Sequence, residues 1–335
     1  MRRSFPTVDE FVQGIRSGSR VMLGKAITLV ESVRPEHQSL AQEVIARLLA
    51  NEREHPDTLR IAVTGAPGVG KSTFIEALGM QLAGAGQKVA VLAIDPTSAL
   101  SKGSILGDKT RMERLSVHEN AFIRPSPSGD SLGGVARKTR ETILLVEAAG
   151  YDTVIIETVG VGQSEFAAHS MTDVFLLLLL PGAGDELQGI KRGIVEMADI
   201  LAVNKADGDR VKTANQARGY YLNATHLLPL KTNGWSPRVL TCSAEQGTGI
   251  GEIWESIVEF KAHTRANGSF DENRRRQAHY WLQEALQTGL QNAFLSHPGI
   301  KEKLDAVEKE VLAGKMSPFA AAEMILGVFL KKSNI

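Results

Sequence analysis

The chain has 335 residues, 43% of them hydrophobic and 23% charged, which is enough to bury one large core or two modest ones. Its 38 basic and 38 acidic residues cancel, so we expect neither a nucleic acid nor a membrane as partner. The single cysteine, Cys242, excludes an internal disulfide framework and fits a reducing compartment. The N-terminus has no apolar signal segment, and the longest apolar run, residues 174–180, is far below the about 20 residues that cross a bilayer. We therefore expect a cytoplasmic protein.

Residues 1–57 are predicted to form a helical N-terminal extension. Apolar residues recur at steps of three and four, with breaks near residues 17–19 and at Pro35. A second helix is expected over about residues 36–54, with an apolar face of Leu40, Val44, Leu48 and Leu49.

Residues 59–73 contain a short apolar strand, a glycine-rich loop and the start of a helix. The loop has the pattern G-x-x-x-x-G-K-S, in which glycines let the backbone N–H groups turn inward at a helix N-terminus and bind phosphate. Lys71 is expected to neutralise the β- and γ-phosphates, and the Ser72 hydroxyl to bind Mg²⁺. The nucleotide-binding residues predicted from this P-loop are Gly65, Ala66, Pro67, Gly68, Val69, Gly70, Lys71, Ser72 and Thr73.

Between residues 58 and 265, short apolar strands alternate with helices, which predicts an α/β fold: a P-loop NTPase domain with a mostly parallel sheet. The strand at 88–95 is expected to lie next to the P-loop strand. The full set of strands is predicted at 59–64, 88–95, 151–157, 173–180, 199–204 and 238–242, and the helices at 71–85, 133–149, 187–197, 209–224 and 250–264.

Two segments at strand ends predict recognition of guanine. Residues 204–207 have the sequence Asn-Lys-Ala-Asp, in which Asn204 and Asp207 can donate to and accept from the guanine edge while the stem of Lys205 covers the base. Ser243 and Ala244 follow a later strand and are expected to add a second base contact. Together the two segments favour GTP over ATP.

A glutamate ends the strand at 151–157 and predicts part of the metal site. Glu157-Thr-Val-Gly160 takes the place of the D-x-x-G loop of GTPases, so Glu157 would hold Mg²⁺ and the Gly160 amide would detect the γ-phosphate. Val161 stands where many GTPases have a water-orienting glutamine, and the nearest glutamine is Gln163. We therefore expect slow intrinsic hydrolysis that a partner accelerates.

Two loops contain further candidate residues. Asp95 and Asp108 are candidate Mg²⁺ or water-positioning carboxylates, although a helix N-cap or a turn would also explain them. The glycine-rich, polar stretch 181–192 is either a solvated loop or a third switch that a partner contacts. The last segment, residues 266–335, is predicted to be helical, and its apolar faces would pack either on the same chain or on a second copy.

Longer stretches resemble the MeaB/ArgK family, the family of the methylmalonic aciduria type A protein. They are residues 65–73, 103–112, 123–127, 157–165, 182–191 and 204–207. The resemblance implies a homodimeric GTPase of the SIMIBI class that binds GTP and GDP with Mg²⁺ and acts as a chaperone of adenosylcobalamin-dependent methylmalonyl-CoA mutase or a related acyl-CoA mutase.

The resemblance also implies roles for individual residues. Loop 182–192 would be a third switch that couples to the mutase, with Lys191 as the cation that responds to the partner, and residues 266–335 would form the dimer. The candidate catalytic residues are then Lys71, Asp95, Glu157, Gln163 and Lys191, and the candidate metal ligands are Ser72, Asp95, Asp108 and Glu157. A nucleotide-dependent kinase and a metal-insertion GTPase with another client are the alternatives.

Overall fold

A computed structural model describes residues 6–50, 57–94, 112–125, 132–158, 164–182 and 192–331. The chain divides into two compact units, Met1–Arg275 and Arg276–Ile335. The boundaries expected from the sequence, at residues 57 and 265, remain predictions.

Three helices begin the first unit: α1 (Val8–Arg16), α2 (Arg20–Glu31) and α3 (Pro35–Leu49). Local sequence explains each start, since Thr7 forms a capping box with Glu10, Ser19 caps α2, and Pro35 fits the first turn of α3. The predicted breaks are confirmed. The predicted apolar face of α3 is partly wrong: Leu49 is 56% exposed, and Ala41 and Ile45 are buried in its place.

A seven-stranded parallel sheet forms the centre of the first unit, with the order β3-β2-β4-β1-β5-β6-β7, which confirms the predicted fold class. The strand β4 lies between β2 and the P-loop strand β1, so the expected pairing of β1 with β2 is wrong. The strands are β1 (Leu59–Gly65), β2 (Val89–Ile94), β3 (Ala121–Arg124), β4 (Thr153–Thr158), β5 (Val174–Leu179), β6 (Ile200–Val203) and β7 (Arg238–Thr241).

Helices connect the strands, and most of them lie where the sequence predicts. They are α4 (Lys71–Gly84), α5 (Glu113–Val117), α6 (Leu132–Ala148), α7 (Ser164–His169), α8 (Arg192–Met197), α9 (Val211–His226) and α10 (Ile250–Ala266). The sequence did not predict β3, α5 or α7, which are only four to six residues long. The helix predicted at 187–197 is described from Arg192 onward.

Helix α11 (Ser269–Ser296) begins in the first unit, where Arg274 holds its first turns. The Arg274 guanidinium donates to both carboxylate oxygens of Asp173, at 2.8 and 2.6 Å, and to the Thr58 carbonyl at 2.6 Å. Glu147 lies 3.4 Å from the same guanidinium and also pairs with Arg60. Burial lowers the Arg274 pKa, but its hydrogen bonds to Asp173 and the nearby acidic groups raise the pKa overall.

The second unit contains the rest of α11, then α12 (Pro298–Leu312) and α13 (Pro318–Lys331). The rings of Phe294 and Phe329 meet edge to face, with centroids 5.3 Å apart, and Ile300 and Ile325 are buried. Among the described helices of the whole chain, none combines the length and apolar character needed to span a bilayer.

Candidate functional site

The P-loop lies at the carboxyl end of β1, where two glycines allow close approaches that a side chain would block. Gly65 has a φ of 148°, and a Cβ there would lie 2.4 Å from the Leu178 carbonyl of β5. Gly70 has a φ of 96°, and its Cβ would lie 2.7 Å from the side-chain nitrogen of Asn204. Alanine would be strained at both positions, so the sequence spacing of the two glycines follows from the loop's shape.

Lys71 and Ser72 begin α4 directly after the loop. The Lys71 ammonium donates to the carbonyls of Gly65 at 2.7 Å and Ala66 at 3.2 Å, so the cation lies over the loop that would hold phosphate. The Ser72 hydroxyl donates to Oε1 of Glu157 at 2.8 Å. Glu157 is on β4 and only 5% exposed, so the fold brings two of the four predicted metal ligands into contact. A hydroxyl and a carboxylate are oxygen donors of the kind that Mg²⁺ prefers.

Asn204 connects the P-loop to the end of β7. It follows β6 and is buried, and its side-chain amide donates to the Val69 carbonyl at 2.8 Å. Its side-chain oxygen accepts from the Ala244 amide at 3.0 Å and lies 3.5 Å from Cys242 Sγ. Burial raises the pKa of the Cys242 thiol to about 12, so the thiol stays protonated and can donate weakly to Asn204.

Lys205 makes a second contact between the P-loop and residues 204–207, which we call the base-recognition segment. Its φ is 59°, and within the described ranges no other non-glycine residue has a positive φ. Its ammonium donates to the Gly68 carbonyl at 2.7 Å. A left-handed non-glycine backbone costs free energy, and such conformations concentrate at functional sites.

Asp207 has a hydrogen-bond donor on each carboxylate oxygen. Oδ2 accepts from the fully buried Ser243 hydroxyl at 2.6 Å, and Oδ1 accepts from Arg210 Nη2. The Ser243 hydrogen bond and then the Arg210 hydrogen bond hold the Asp207 pKa below its usual range. Asp207 is therefore a carboxylate at neutral pH, ready to accept hydrogen bonds.

The described part of the predicted site thus converges at one edge of the sheet: the P-loop, Glu157, Asn204, Lys205, Asp207, Ser243 and Ala244. Ser243 and Ala244 support Asp207 and Asn204 in this structure, and their predicted contact with a base remains a prediction. The other predicted residues, Asp95, Asp108, Gly160, Gln163 and Lys191, lie outside the described residues, as does Val161.

Two contacts were missed by the sequence analysis, one made by the predicted P-loop residue Val69 and one made by Arg210. The Val69 carbonyl binds Asn204 through a backbone atom, which no residue type reveals. Arg210 could have been found, because it comes three residues after Asp207 in a turn, where an i, i+3 contact is possible.

A P-loop joined to an Asn-Lys-Ala-Asp segment on a parallel sheet defines a P-loop GTPase. Comparison with known proteins agrees: the family model "Methylmalonyl Co-A mutase-associated GTPase MeaB" matches residues 23–298. The chain therefore belongs to the MeaB family.

Individual relatives support this assignment. The "Methylmalonic aciduria type A homolog, mitochondrial" of Mus musculus is 46% identical over 329 residues, which cover 96% of this chain and 79% of the relative. GTPase ArgK of Escherichia coli is 47% identical, covering 91% of this chain and 90% of ArgK. A crystal structure described as a LAO/AO transport system kinase has a TM-score of 0.74 and 38% identity, covering 98% of this chain and 100% of that one.

Proposed function

We propose that the protein binds GTP with Mg²⁺, hydrolyses it to GDP and phosphate, and acts in the cytoplasm as a homodimeric chaperone of an adenosylcobalamin-dependent acyl-CoA mutase. Methylmalonyl-CoA mutase is the proposed client, and cofactor loading, protection and reactivation are the proposed tasks. The name of the matching family, which includes mutase association, supports this client.

The carboxylate of Asp207 is the observation that supports GTP most directly. Guanine presents two adjacent donors, its N1–H and its exocyclic amine, whereas the corresponding edge of adenine presents an acceptor in place of N1–H. A carboxylate only accepts, and Asp207 is anionic at neutral pH, with its pKa lowered further by the hydrogen bonds from Ser243 and Arg210. The site is therefore suited to guanine and poorly suited to adenine.

The phosphate end of the site supports hydrolysis. The P-loop amides and Lys71 would bind the β- and γ-phosphates, and Ser72 and Glu157, already in contact at 2.8 Å, would hold Mg²⁺. Bound Mg²⁺ would neutralise charge that develops on the phosphate oxygens. We propose that Gly160, Gln163, Asp95, Asp108 and Lys191 complete the site from the switch segments.

Slow hydrolysis without a partner is part of the proposal. Val161 has no polar group with which to orient the attacking water, so a group from the mutase, or a switch ordered by the mutase, would have to do so. This would couple nucleotide hydrolysis to the state of the client.

An exposed apolar stripe on α11 supports the homodimer. Leu282, Leu286 and Leu290 follow one another at steps of four residues, which places them along one side of the helix, and their exposed fractions are 56%, 52% and 64%. Exposed apolar surface of this kind marks an interaction site. A second copy of α11 would bury the same residues symmetrically.

The decisive test is phosphate release by the purified protein, alone and with adenosylcobalamin-loaded methylmalonyl-CoA mutase. We expect a low rate with GTP that rises roughly tenfold or more with the mutase, as partner-completed GTPase sites do. A Lys71→Ala variant controls for contaminating activity, and ATP controls for base selection. Equal rates with ATP would contradict guanine recognition, and a GTPase that neither binds nor responds to the mutase would contradict the chaperone role. Since no phospho-acceptor is present, rapid release also contradicts the kinase alternative.

A further inference from the structure

Arg210 lies beside the proposed guanine-binding residues, and the function proposed above gives it no role beyond lowering the Asp207 pKa. It ends the 3₁₀ turn Gly208–Arg210, and its amide donates to the Asp207 carbonyl at 3.0 Å. This turn brings the Arg210 side chain back onto the carboxylate, where Nη2 donates to Oδ1. The turn itself therefore places a cation at the group that is proposed to bind the base.

The two donors to Asp207 differ in how easily they can leave. Ser243 is completely buried and also accepts from the Gln246 amide at 3.3 Å, so it is fixed behind the carboxylate. The Arg210 side chain is 50% exposed, whereas that of Asp207 is only 10% exposed. A base must reach the carboxylate from solvent, and of these two donors Arg210 is the one exposed to solvent.

We propose that Arg210 competes with guanine for the carboxylate of Asp207, and thereby weakens guanine-nucleotide affinity and speeds nucleotide release. This inference rests on the proposed binding of guanine nucleotides. The base provides two donors to the carboxylate, and the Arg210 donor has to leave or share its acceptor when they arrive.

Lys205, a second cation near Asp207, does not explain the same effect. The Lys205 ammonium donates to the Gly68 carbonyl at 2.7 Å, so its hydrogen bond is to the P-loop rather than to the carboxylate. Arg210, by contrast, donates directly to Asp207. The competition is therefore assigned to Arg210.

The size of the effect follows from the exposure of the pair. An ion pair with a half-exposed arginine stabilises a protein only slightly, so displacing it should weaken binding about two- to fivefold rather than prevent it. Salt weakens exposed ion pairs, so the penalty should shrink as ionic strength rises.

The test compares GDP binding to the full-length wild type, Arg210→Ala and Lys212→Ala by calorimetry at low and high ionic strength. Lys212 is exposed and two residues away, so its replacement removes the same charge without touching Asp207. We expect Arg210→Ala to bind GDP about two- to fivefold more tightly at low salt, with a smaller gain at high salt. Lys212→Ala should match the wild type.

A second comparison isolates the carboxylate. An Asp207→Asn variant should prefer xanthosine diphosphate, because its amide can donate to the extra carbonyl of xanthine. In that background Arg210→Ala should leave xanthosine diphosphate binding unchanged, since the anion that attracts Arg210 is gone. If Arg210→Ala binds GDP equally well or less tightly than the wild type, the competition is wrong. If the wild type itself binds no GDP, the proposed function fails instead.

Discussion

Replacing Asn204 with alanine tests whether the base-recognition segment and the P-loop form one structural unit before any nucleotide binds. Asn204 is 2% exposed; it binds the P-loop through the Val69 carbonyl at 2.8 Å and the segment after β7 through the Ala244 amide at 3.0 Å. Alanine removes both hydrogen bonds and leaves a buried donor and a buried acceptor without them. The nucleotide-free protein should therefore lose stability as well as base affinity.

The expected loss follows from these two bonds. Each contributes about 1 kcal/mol net, and each buried group left without its bond costs about 1–3 kcal/mol. The free energy of unfolding of the first unit should fall by about 2–4 kcal/mol, which corresponds to a drop in Tm of roughly 4–8 °C for a unit of this size.

Differential scanning calorimetry of the nucleotide-free protein measures this drop. Asn223→Ala is the matched control, because Asn223 is an exposed residue of α9 and its replacement should shift Tm by no more than about 2 °C. Asn204→Asp should destabilise at least as much as alanine, since a carboxylate oxygen would face the Val69 carbonyl. An Asn204→Ala Tm equal to that of the control would refute the view that this residue joins the two segments.

Two further predictions concern α11. Arg274→Met should lower the free energy of unfolding by about 3 kcal/mol, because the Asp173 side chain, which is 1% exposed, loses its charged partner. The control is Arg275→Met, which should cost less than about 1 kcal/mol because the Arg275 side chain is 69% exposed. Denaturant titrations of both variants check this, and equal losses would contradict it. Leu286→Glu should convert the proposed dimer to a monomer in light scattering, because the symmetric interface would place two carboxylates together. Leu227→Glu, at an 85% exposed leucine of the first unit, should remain dimeric, and a Leu286→Glu dimer would move the interface elsewhere.

Most strands of the sheet could be predicted because each has a local sequence pattern. Five of the strands are continuously buried, and buried parallel strands have unbroken apolar sequences that are visible without a structure. The strand β3 has only four residues and alternates between buried and half-buried positions, so it gives too weak a signal. The order of the strands depends on contacts between segments about 60 to 100 residues apart, and this is why β4 was not expected between β1 and β2.

The candidate site, like the sheet, was only partly predictable from the sequence. The motifs predicted the P-loop, Glu157 and the base-recognition residues, because their chemistry requires fixed residue types at fixed spacing. What the motifs could not provide is the connection between them, such as the hydrogen bond from Ser243 to Asp207, 36 residues apart. The ion pair of Arg274 with Asp173 was not predicted either, because Arg274 lies in a charged stretch that is typical of a solvent-exposed surface.

The connections between the segments have a consequence for how the nucleotide binds. Asn204 and Lys205 hold the P-loop through the carbonyls of Val69 and Gly68, which turns these carbonyls toward the base-recognition segment. Because these bonds order the P-loop when the protein folds, the loop does not have to lose that conformational freedom when a nucleotide binds. Because the same two residues would also contact guanine, losing either one should weaken the binding of the phosphates as well as that of the base. The base-recognition segment thus contributes to affinity at both ends of the nucleotide.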